Sequence, residues 1–263
     1  MKLKSTLSNT LMTLILFVST ALPFSIFSSH AAVAAESPKQ VILITGANRG
    51  IGLALAEKFQ SQGYKVIATA RKPEQAVELK KLGVQVEKLD ITSAESVSQL
   101  SKKLAHQPID ILLNNAGIGG HSTQNFESLD IDKLAKVLDV NSLGALRVIQ
   151  GFLPNLQKNK TKVIANISSR MGSIEENKSG GVLGYRASKT ALNSFNKSLS
   201  IEYAAQGFTF VVLHPGWVRT DMTSERATYS TTESAEKLYQ VISSLKQKDN
   251  GKFYDLHGNE ISW

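Results

Sequence analysis

The 263-residue chain contains no cysteine, which excludes disulfide bonds, a thiolate nucleophile and cysteine-ligated metal sites. Its five histidines form no close pair of the kind that a helix or hairpin metal site needs, so we expect no metal site. Only 7% of the residues are aromatic, and the basic residues behind the net charge of +8 are dispersed. Without a basic patch flanked by aromatic residues, we expect no nucleic-acid binding.

The first 35 residues lack acidic side chains. Lys2 and Lys4 precede an uncharged stretch with an apolar cluster over residues 11–18, and the stretch ends in small residues up to Ala35. This layout is typical of a signal peptide. We therefore predict that residues 1–35 form a signal peptide cleaved after Ala34 or Ala35, which would export the protein to a periplasm or lumen. An N-terminal anchor or a cytoplasmic protein is the alternative, and we expect no stable membrane span in the mature chain.

From residue 40 onwards, short β-branched runs alternate with longer segments of helical period, which is typical of a parallel sheet covered on both faces. We predict that residues 36–263 form one α/β domain, a doubly wound, Rossmann-type and mostly parallel sheet of about seven strands with helices on both faces. Helices are predicted, for example, over residues 51–62 and 94–103. The predicted strands cover residues 41–45, 65–70, 84–89, 109–113, 162–168, 208–214 and 251–255.

A glycine-rich turn, Thr-Gly-Ala-Asn-Arg-Gly-Ile-Gly, joins the first predicted strand to the first helix. Backbone N–H groups and the positive end of the helix attract a pyrophosphate at such a turn. The alternative is a tight turn that needs glycine only for its positive φ angles. If the turn binds a dinucleotide, the candidate contacts are Gly46, Asn48, Arg49, Gly50, Ile51 and Gly52.

The second predicted strand lacks the acidic residue that NAD-binding sites place at its end. There is no Asp or Glu between Lys58 and Pro73, and the strand is followed by Arg71. An acidic side chain there binds the ribose 2′-hydroxyl of NAD and would repel a 2′-phosphate, whereas the guanidinium groups of Arg49 and Arg71 suit a phosphate. The sequence therefore predicts NADP(H) as cofactor, with NAD(H) less favoured.

Of the six tyrosines, only Tyr185 has a lysine four residues later, at Lys189. Residues at this spacing share one face of a helix. An ammonium close to a phenol lowers the phenol pKa, so that the phenol can exchange a proton nearer to neutral pH. Without other motifs, the same spacing also fits an ordinary surface pair.

Together with the glycine turn, these residues make the chain resemble the short-chain dehydrogenase/reductase family over residues 39–263. Its carbonyl reductase and C-factor-like members are the most similar in detail. The matching segments are Asn-Asn-Ala-Gly at 114–117, Asn141 in Asp-Val-Asn-Ser, Ser-Ser-Arg-Met-Gly-Ser at 168–173, Pro-Gly-Trp-Val-Arg-Thr at 215–220 and Gly-Lys-Phe-Tyr-Asp at 251–255.

The resemblance implies an enzyme that reduces an aldehyde, ketone or quinone with NADP(H), and it also implies a homodimer. Tyr185 would be the acid/base, with Lys189 lowering its pKa and holding the nicotinamide ribose. Ser169 would polarise the carbonyl, with Ser168 as its rival. The family places this serine about three residues nearer the tyrosine, so the segment over residues 172–184 is longer here. The resemblance further implies a proton-relay water at Asn141 and cofactor contacts at Asp90, Asn114, Val218 and Thr220.

Two other functions remain open at this stage. A sugar-nucleotide epimerase shares the Tyr and Lys spacing, but only 43 residues follow Thr220, which is short for the substrate domain of such enzymes. A dinucleotide-binding protein with a signalling or interaction role would need no turnover, although the complete Ser, Tyr and Lys set favours an enzyme. The loops over 118–126 and 223–232 contain small polar residues and no diagnostic charge cluster, so they do not identify the substrate. The segment after Thr220 is short, which indicates an open site with a loose lid, so we expect a bulky or varied carbonyl substrate.

Overall fold

A computed structural model of the protein describes residues 39–120 and 126–263. The signal-peptide prediction falls on residues 1–35, which lie outside the described residues. Within the described ranges, no helix has both the length and the apolar character that a bilayer crossing requires.

The described chain forms a seven-stranded sheet in the order β3-β2-β1-β4-β5-β6-β7, and every neighbouring pair is parallel. The predicted α/β class and strand number are confirmed. The order reverses between β1 and β4, where a crevice opens beyond the carboxyl ends of the strands. The strands are β1 Val41–Ile44, β2 Lys65–Ala70, β3 Gln85–Lys88, β4 Ile111–Asn114, β5 Val163–Ile167, β6 Thr209–His214 and β7 Lys252–Asp255.

The central strands β1, β4 and β5 are buried along their whole length because helices cover both faces of the sheet. On one face, Phe59 and Leu238 belong to the larger apolar core. On the other, Val97 and Phe152 pack in a second core. The helices are α1 Gly50–Ser61, α2 Val77–Leu82, α3 Ala94–Lys103, α4 Ile131–Leu138, α5 Gly144–Gln157, α6 Leu183–Glu202 and α7 Thr231–Ser244.

Candidate active site

A cavity of about 1230 Å³ lies beyond the carboxyl ends of β1, β4, β5 and β6. Its volume exceeds the roughly 300–1000 Å³ of a pocket for a drug-sized ligand. The cavity brings together residues from widely separated stretches of the sequence, from the glycine turn to the start of α7. Among the residues that the sequence predicts for the site, its walls include Gly46, Asn48, Arg49, Gly50, Ile51, Gly52, Arg71, Asp90, Ser169, Tyr185, Lys189, Val218 and Thr220.

The glycine turn packs directly against the segment that follows β4. Gly46 has a φ of 63°, and a Cβ atom there would lie 2.8 Å from Cα of Ala116. The Asn115 side chain donates hydrogen bonds to the carbonyl oxygens of Thr45 (3.1 Å) and Gly46 (3.0 Å). The turn is therefore fixed in place, with its remaining backbone and the start of α1 bordering the cavity.

The end of the cavity beside β2 is charged and open to solvent. Arg49 forms an ion pair with Asp221 at 3.1 Å, and both side chains are at least 70% exposed. Arg71 is also exposed. Asp90 accepts hydrogen bonds from the hydroxyl (2.7 Å) and backbone N–H of Thr92, and these bonds, with a smaller contribution from Arg71, lower its pKa. Two guanidinium groups therefore stand where an adenosine phosphate would need them.

Asn114 differs from the other predicted cofactor contacts because its side chain lies behind the cavity. It is buried at the end of β4 and donates a hydrogen bond to Oδ1 of Asn166 at 2.9 Å. Asn166 in turn donates to Oδ1 of Asn196 on α6. The neighbouring Asn115 lines the cavity instead. The contact of Asn114 with the adenine ribose stays a prediction, and its backbone would have to make it.

Tyr185 and Lys189 lie one turn apart on α6, as predicted, and face the cavity. The Lys189 Nζ atom is 5.8 Å from the centroid of the Tyr185 ring and donates a hydrogen bond to the carbonyl oxygen of Ile167 at 2.9 Å. That carbonyl is at the end of β5, next to the serine pair. Among the described residues, the Lys189 ammonium makes this one hydrogen bond. Two of its three N–H donors therefore remain for a ligand.

Burial dominates the pKa values of this pair. It raises the pKa of Tyr185, and a hydrogen bond with Ser169 opposes that effect. Burial also lowers the pKa of Lys189 to about 8. The sequence led us to expect that Lys189 lowers the pKa of Tyr185, whereas here the net shift is upward because desolvation penalises the phenolate.

The two adjacent serines after β5 have different partners. Ser168 is buried, and its hydroxyl donates to Oδ1 of Asn193 on α6 at 2.8 Å. Ser169 accepts a hydrogen bond from the backbone N–H of Met171, lines the cavity together with Tyr185, and opposes the effect of burial on the pKa of that phenol. This geometry favours Ser169 over Ser168 as the serine that meets a substrate.

Asn141 lies in a short π-helix, Asp139–Leu143, between α4 and α5. Its side chain is buried and bridges two elements of the site. Oδ1 accepts from the backbone N–H of Ile118 at 2.8 Å, while Nδ2 donates to the carbonyl of Ile118 and the hydroxyl of Ser188. Asn141 thus joins the segment after β4 to the catalytic helix, and a relay water would have to use its backbone carbonyl.

The structure adds His214 to the site, to which sequence reasoning assigned no role. His214 ends β6, lines the cavity, and has an Nδ1 atom that is buried with no hydrogen-bond partner among the described residues. Burial and the nearby Arg170 lower its pKa to about 4, so its ring is neutral at pH 7. Its position at the end of a predicted strand, directly before Pro215 and Gly216, could have indicated from the sequence that His214 lies at the site.

Comparisons with known proteins found three that are similar to this chain. The carbonyl reductase Sniffer of Drosophila melanogaster superposes with a TM-score of 0.82 and 32% identity, covering 86% of this chain and all of the other. The NADPH-bound carbonyl reductase from chicken fatty liver gives a TM-score of 0.79 and 31% identity, with coverage of 86% and 99%. The protein named C-signal from Myxococcus xanthus is 39% identical over 156 residues, which is 59% of this chain and 93% of the relative.

The family model for short chain dehydrogenases matches residues 40–231, from the start of β1 to the start of α7. This range contains the glycine turn, the serine pair and the Tyr185–Lys189 pair, all placed around one cavity. The chain is therefore a member of the short-chain dehydrogenase family, a family of oxidoreductases.

Proposed function

We propose that the protein reduces an aldehyde, ketone or quinone to an alcohol with NADP(H). The observation that supports this most directly is the composition of the cavity. One end presents the Tyr185 phenol and the Ser169 hydroxyl, and the other presents Arg49 and Arg71. A nicotinamide dinucleotide phosphate has its reactive ring and its 2′-phosphate at opposite ends, which matches this arrangement.

NADPH, when bound, supplies the hydride that becomes a C–H bond at the carbonyl carbon. Tyr185 donates its phenol proton to the carbonyl oxygen, and the hydroxyl of Ser169 donates a hydrogen bond to the same oxygen as negative charge develops. A raised pKa keeps Tyr185 protonated at neutral pH, which suits a proton donor in the direction of reduction. The carbonyl thus gains one hydride and one proton and leaves as the alcohol.

Lys189 stabilises the phenolate that Tyr185 becomes after donating its proton, and its two remaining N–H groups would hold the nicotinamide ribose. Because the pKa of Lys189 is about 8, its side chain is mostly protonated at neutral pH and can take this role there. We assign Asn141 to the proton relay, in which it would hold the water that returns a proton to Tyr185. Its buried, fully hydrogen-bonded side chain keeps the local backbone fixed for that purpose.

At the opposite end, Arg49 and Arg71 would bind the 2′-phosphate. The similar carbonyl reductase from chicken fatty liver was solved with NADPH bound. The cavity lining also includes the large apolar side chains Met171, Trp217 and Met222. We infer an uncharged carbonyl substrate with a bulky apolar part.

Two further predictions concern the protein outside this site. We propose that residues 1–35 direct export, which mass spectrometry of the chain expressed with its leader would test through the mass of its N-terminal peptide. We also propose a homodimer, which size-exclusion chromatography with light scattering would test. An intact leader contradicts the first proposal and a monomer mass contradicts the second.

The function is tested by titrating the protein that begins at Glu36 with NADPH and NADH, followed by fluorescence, and then adding para-nitrobenzaldehyde or benzil. Tighter binding of NADPH and its oxidation on addition of a carbonyl support the proposal. Absence of NADPH binding contradicts the cofactor assignment, and uniform failure on aldehydes, ketones and quinones contradicts the reaction.

The similarity to C-signal favours a second candidate, a dinucleotide-binding protein with a signalling role. The same titration separates the two functions. NADPH binding without turnover of any carbonyl would favour signalling.

A further inference from the structure

Val182 has an unusual backbone conformation next to the catalytic helix. Its φ of 49° and ψ of 41° place it in the left-handed region, and it is the one non-glycine residue with a positive φ in the described ranges. A β-branched side chain is strained in this conformation, and Gly or Asn would adopt it more easily. Strain of this kind persists where the surrounding structure enforces it, often at functional sites.

The two residues before Val182 show that the chain uses glycine where only the backbone matters. Gly180 and Gly181 also have positive φ angles of 62° and 66°, and a Cβ atom at either would meet no atom within 4 Å. Glycine at position 182 would complete the same left-handed run without strain. The backbone conformation of the turn therefore does not explain why position 182 carries a valine side chain.

The Val182 side chain borders the cavity three residues before Tyr185. The backbone carbonyl of Val182 accepts the N–H of Arg186, so the residue is fixed at the first turn of α6. Its position relative to the phenol is therefore set by the helix rather than by a mobile loop.

The segment leading to Val182 is hydrogen-bonded at both ends. At its start, the buried Ser173 hydroxyl and the backbone N–H groups of Ile174 and Glu175 all donate to the backbone oxygen of Trp263, at 3.0–3.1 Å. At its end, the guanidinium of Arg186 donates to the hydroxyl of Ser179 at 2.9 Å. These contacts restrict the backbone that leads to Val182.

From the strain, the position in the cavity lining and the hydrogen bonds on either side, we infer that Val182 contacts the substrate and determines which carbonyls reach Tyr185. This inference rests on the proposed function and names one residue that sets its specificity. The isopropyl group limits the space beside the phenol, so a small carbonyl is held against Tyr185 and a bulky one is restricted.

Val182→Gly and Val182→Ala test the inference, with propanal and benzil as the small and bulky probes and NADPH as reductant. Both variants should raise the benzil-to-propanal ratio of kcat/KM by about tenfold or more, since removal of methyl groups from a substrate pocket has effects of this size. Only Val182→Gly removes the Cβ atom, so only this variant should also raise Tm. Ile174→Ala, at an exposed position of the same segment, should change neither ratio nor Tm.

An unchanged ratio in both variants overturns the inference. So does a loss of kcat by the same factor for both probes with a shifted pH profile, because Val182 would then act by positioning Tyr185. If the unaltered protein binds NADPH but reduces neither probe nor any other carbonyl, the proposed function fails and the inference with it. Turnover by the unaltered protein with no change in the variants refutes the inference alone.

Discussion

The two ends of the cavity are built differently. Around Tyr185, the Lys189 and Asn141 side chains are buried and hydrogen-bonded to the backbone of Ile167 and Ile118. At the other end, Arg49 and Arg71 lie on the surface. Buried polar groups interact strongly and are costly to leave without a partner, whereas exposed charges are screened by water and salt. Changes at the buried end should therefore have large effects on chemistry, and changes at the exposed end should have modest effects on binding.

The largest expected effect belongs to Tyr185→Phe, which removes the proton donor and keeps the ring. We expect kcat to fall by about 10²–10⁴-fold, the usual contribution of a positioned acid, with little change in NADPH affinity. Steady-state kinetics and fluorescence titration measure the two quantities. Tyr203→Phe is the matched control because the Tyr203 ring packs against Phe208 at the far end of the same helix. Equal losses in the two variants would contradict a chemical role for Tyr185.

Lys189 predicts the pH dependence. Its folded pKa of about 8 lies below its ordinary value of 10.5, so the ammonium loses its proton as pH rises through about 8. We expect kcat/KM for reduction to fall by about tenfold per pH unit above that value. Lys189→Arg, which stays charged, should lack this decline in whatever activity it retains. A flat profile up to pH 10 in the unaltered protein would show that the charge of Lys189 is not required.

At the exposed end, Arg71→Ser should reduce the preference for NADPH over NADH by about tenfold, since a hydrogen bond to a charged group contributes about 1.5–3 kcal/mol. The loss should shrink at high salt, because the site is open to solvent. Titrations with both cofactors at two salt concentrations measure this effect. A variant with unchanged preference would remove Arg71 from the phosphate site.

The smallest effect is expected for Asp221→Asn, which breaks the exposed ion pair with Arg49. Such pairs contribute about 0–1 kcal/mol, so NADPH affinity should rise by no more than about fivefold as Arg49 becomes available to the phosphate. Asp132→Asn, at an exposed position on α4, is the control. A loss of NADPH affinity in Asp221→Asn would place the carboxylate in the binding site instead.

The sequence predicted the sheet well because each strand is a short apolar run between helical segments, and the predicted ends differ from the observed ends by at most two residues. It also predicted which residues meet, since Tyr185 and Lys189 follow from helical spacing and the glycine turn from its position after β1. Contacts between distant segments were not predictable. The hydrogen bond between Ser168 and Asn193 depends on how α6 packs on β5, and so does the burial of Asn114.

The direction of the Tyr185 pKa shift was also beyond the sequence. Spacing on a helix brings Lys189 near the phenol, but the net shift depends on how far packing removes both groups from water. The strain at Val182 could not be predicted for a similar reason, because a valine in sequence gives no sign of a left-handed backbone.

Hydride transfer to a carbonyl is the central claim, and isotope labelling tests it most directly. The protein is incubated with benzil and NADPH that carries deuterium at the transferable position of the nicotinamide, with each face labelled in turn. We predict that deuterium from one face appears on the carbinol carbon of the product and that Tyr185→Phe forms this labelled product about 10²–10⁴-fold more slowly. A product without deuterium from either face, or labelled product formed at an equal rate by Tyr185→Phe, would contradict the proposed reaction.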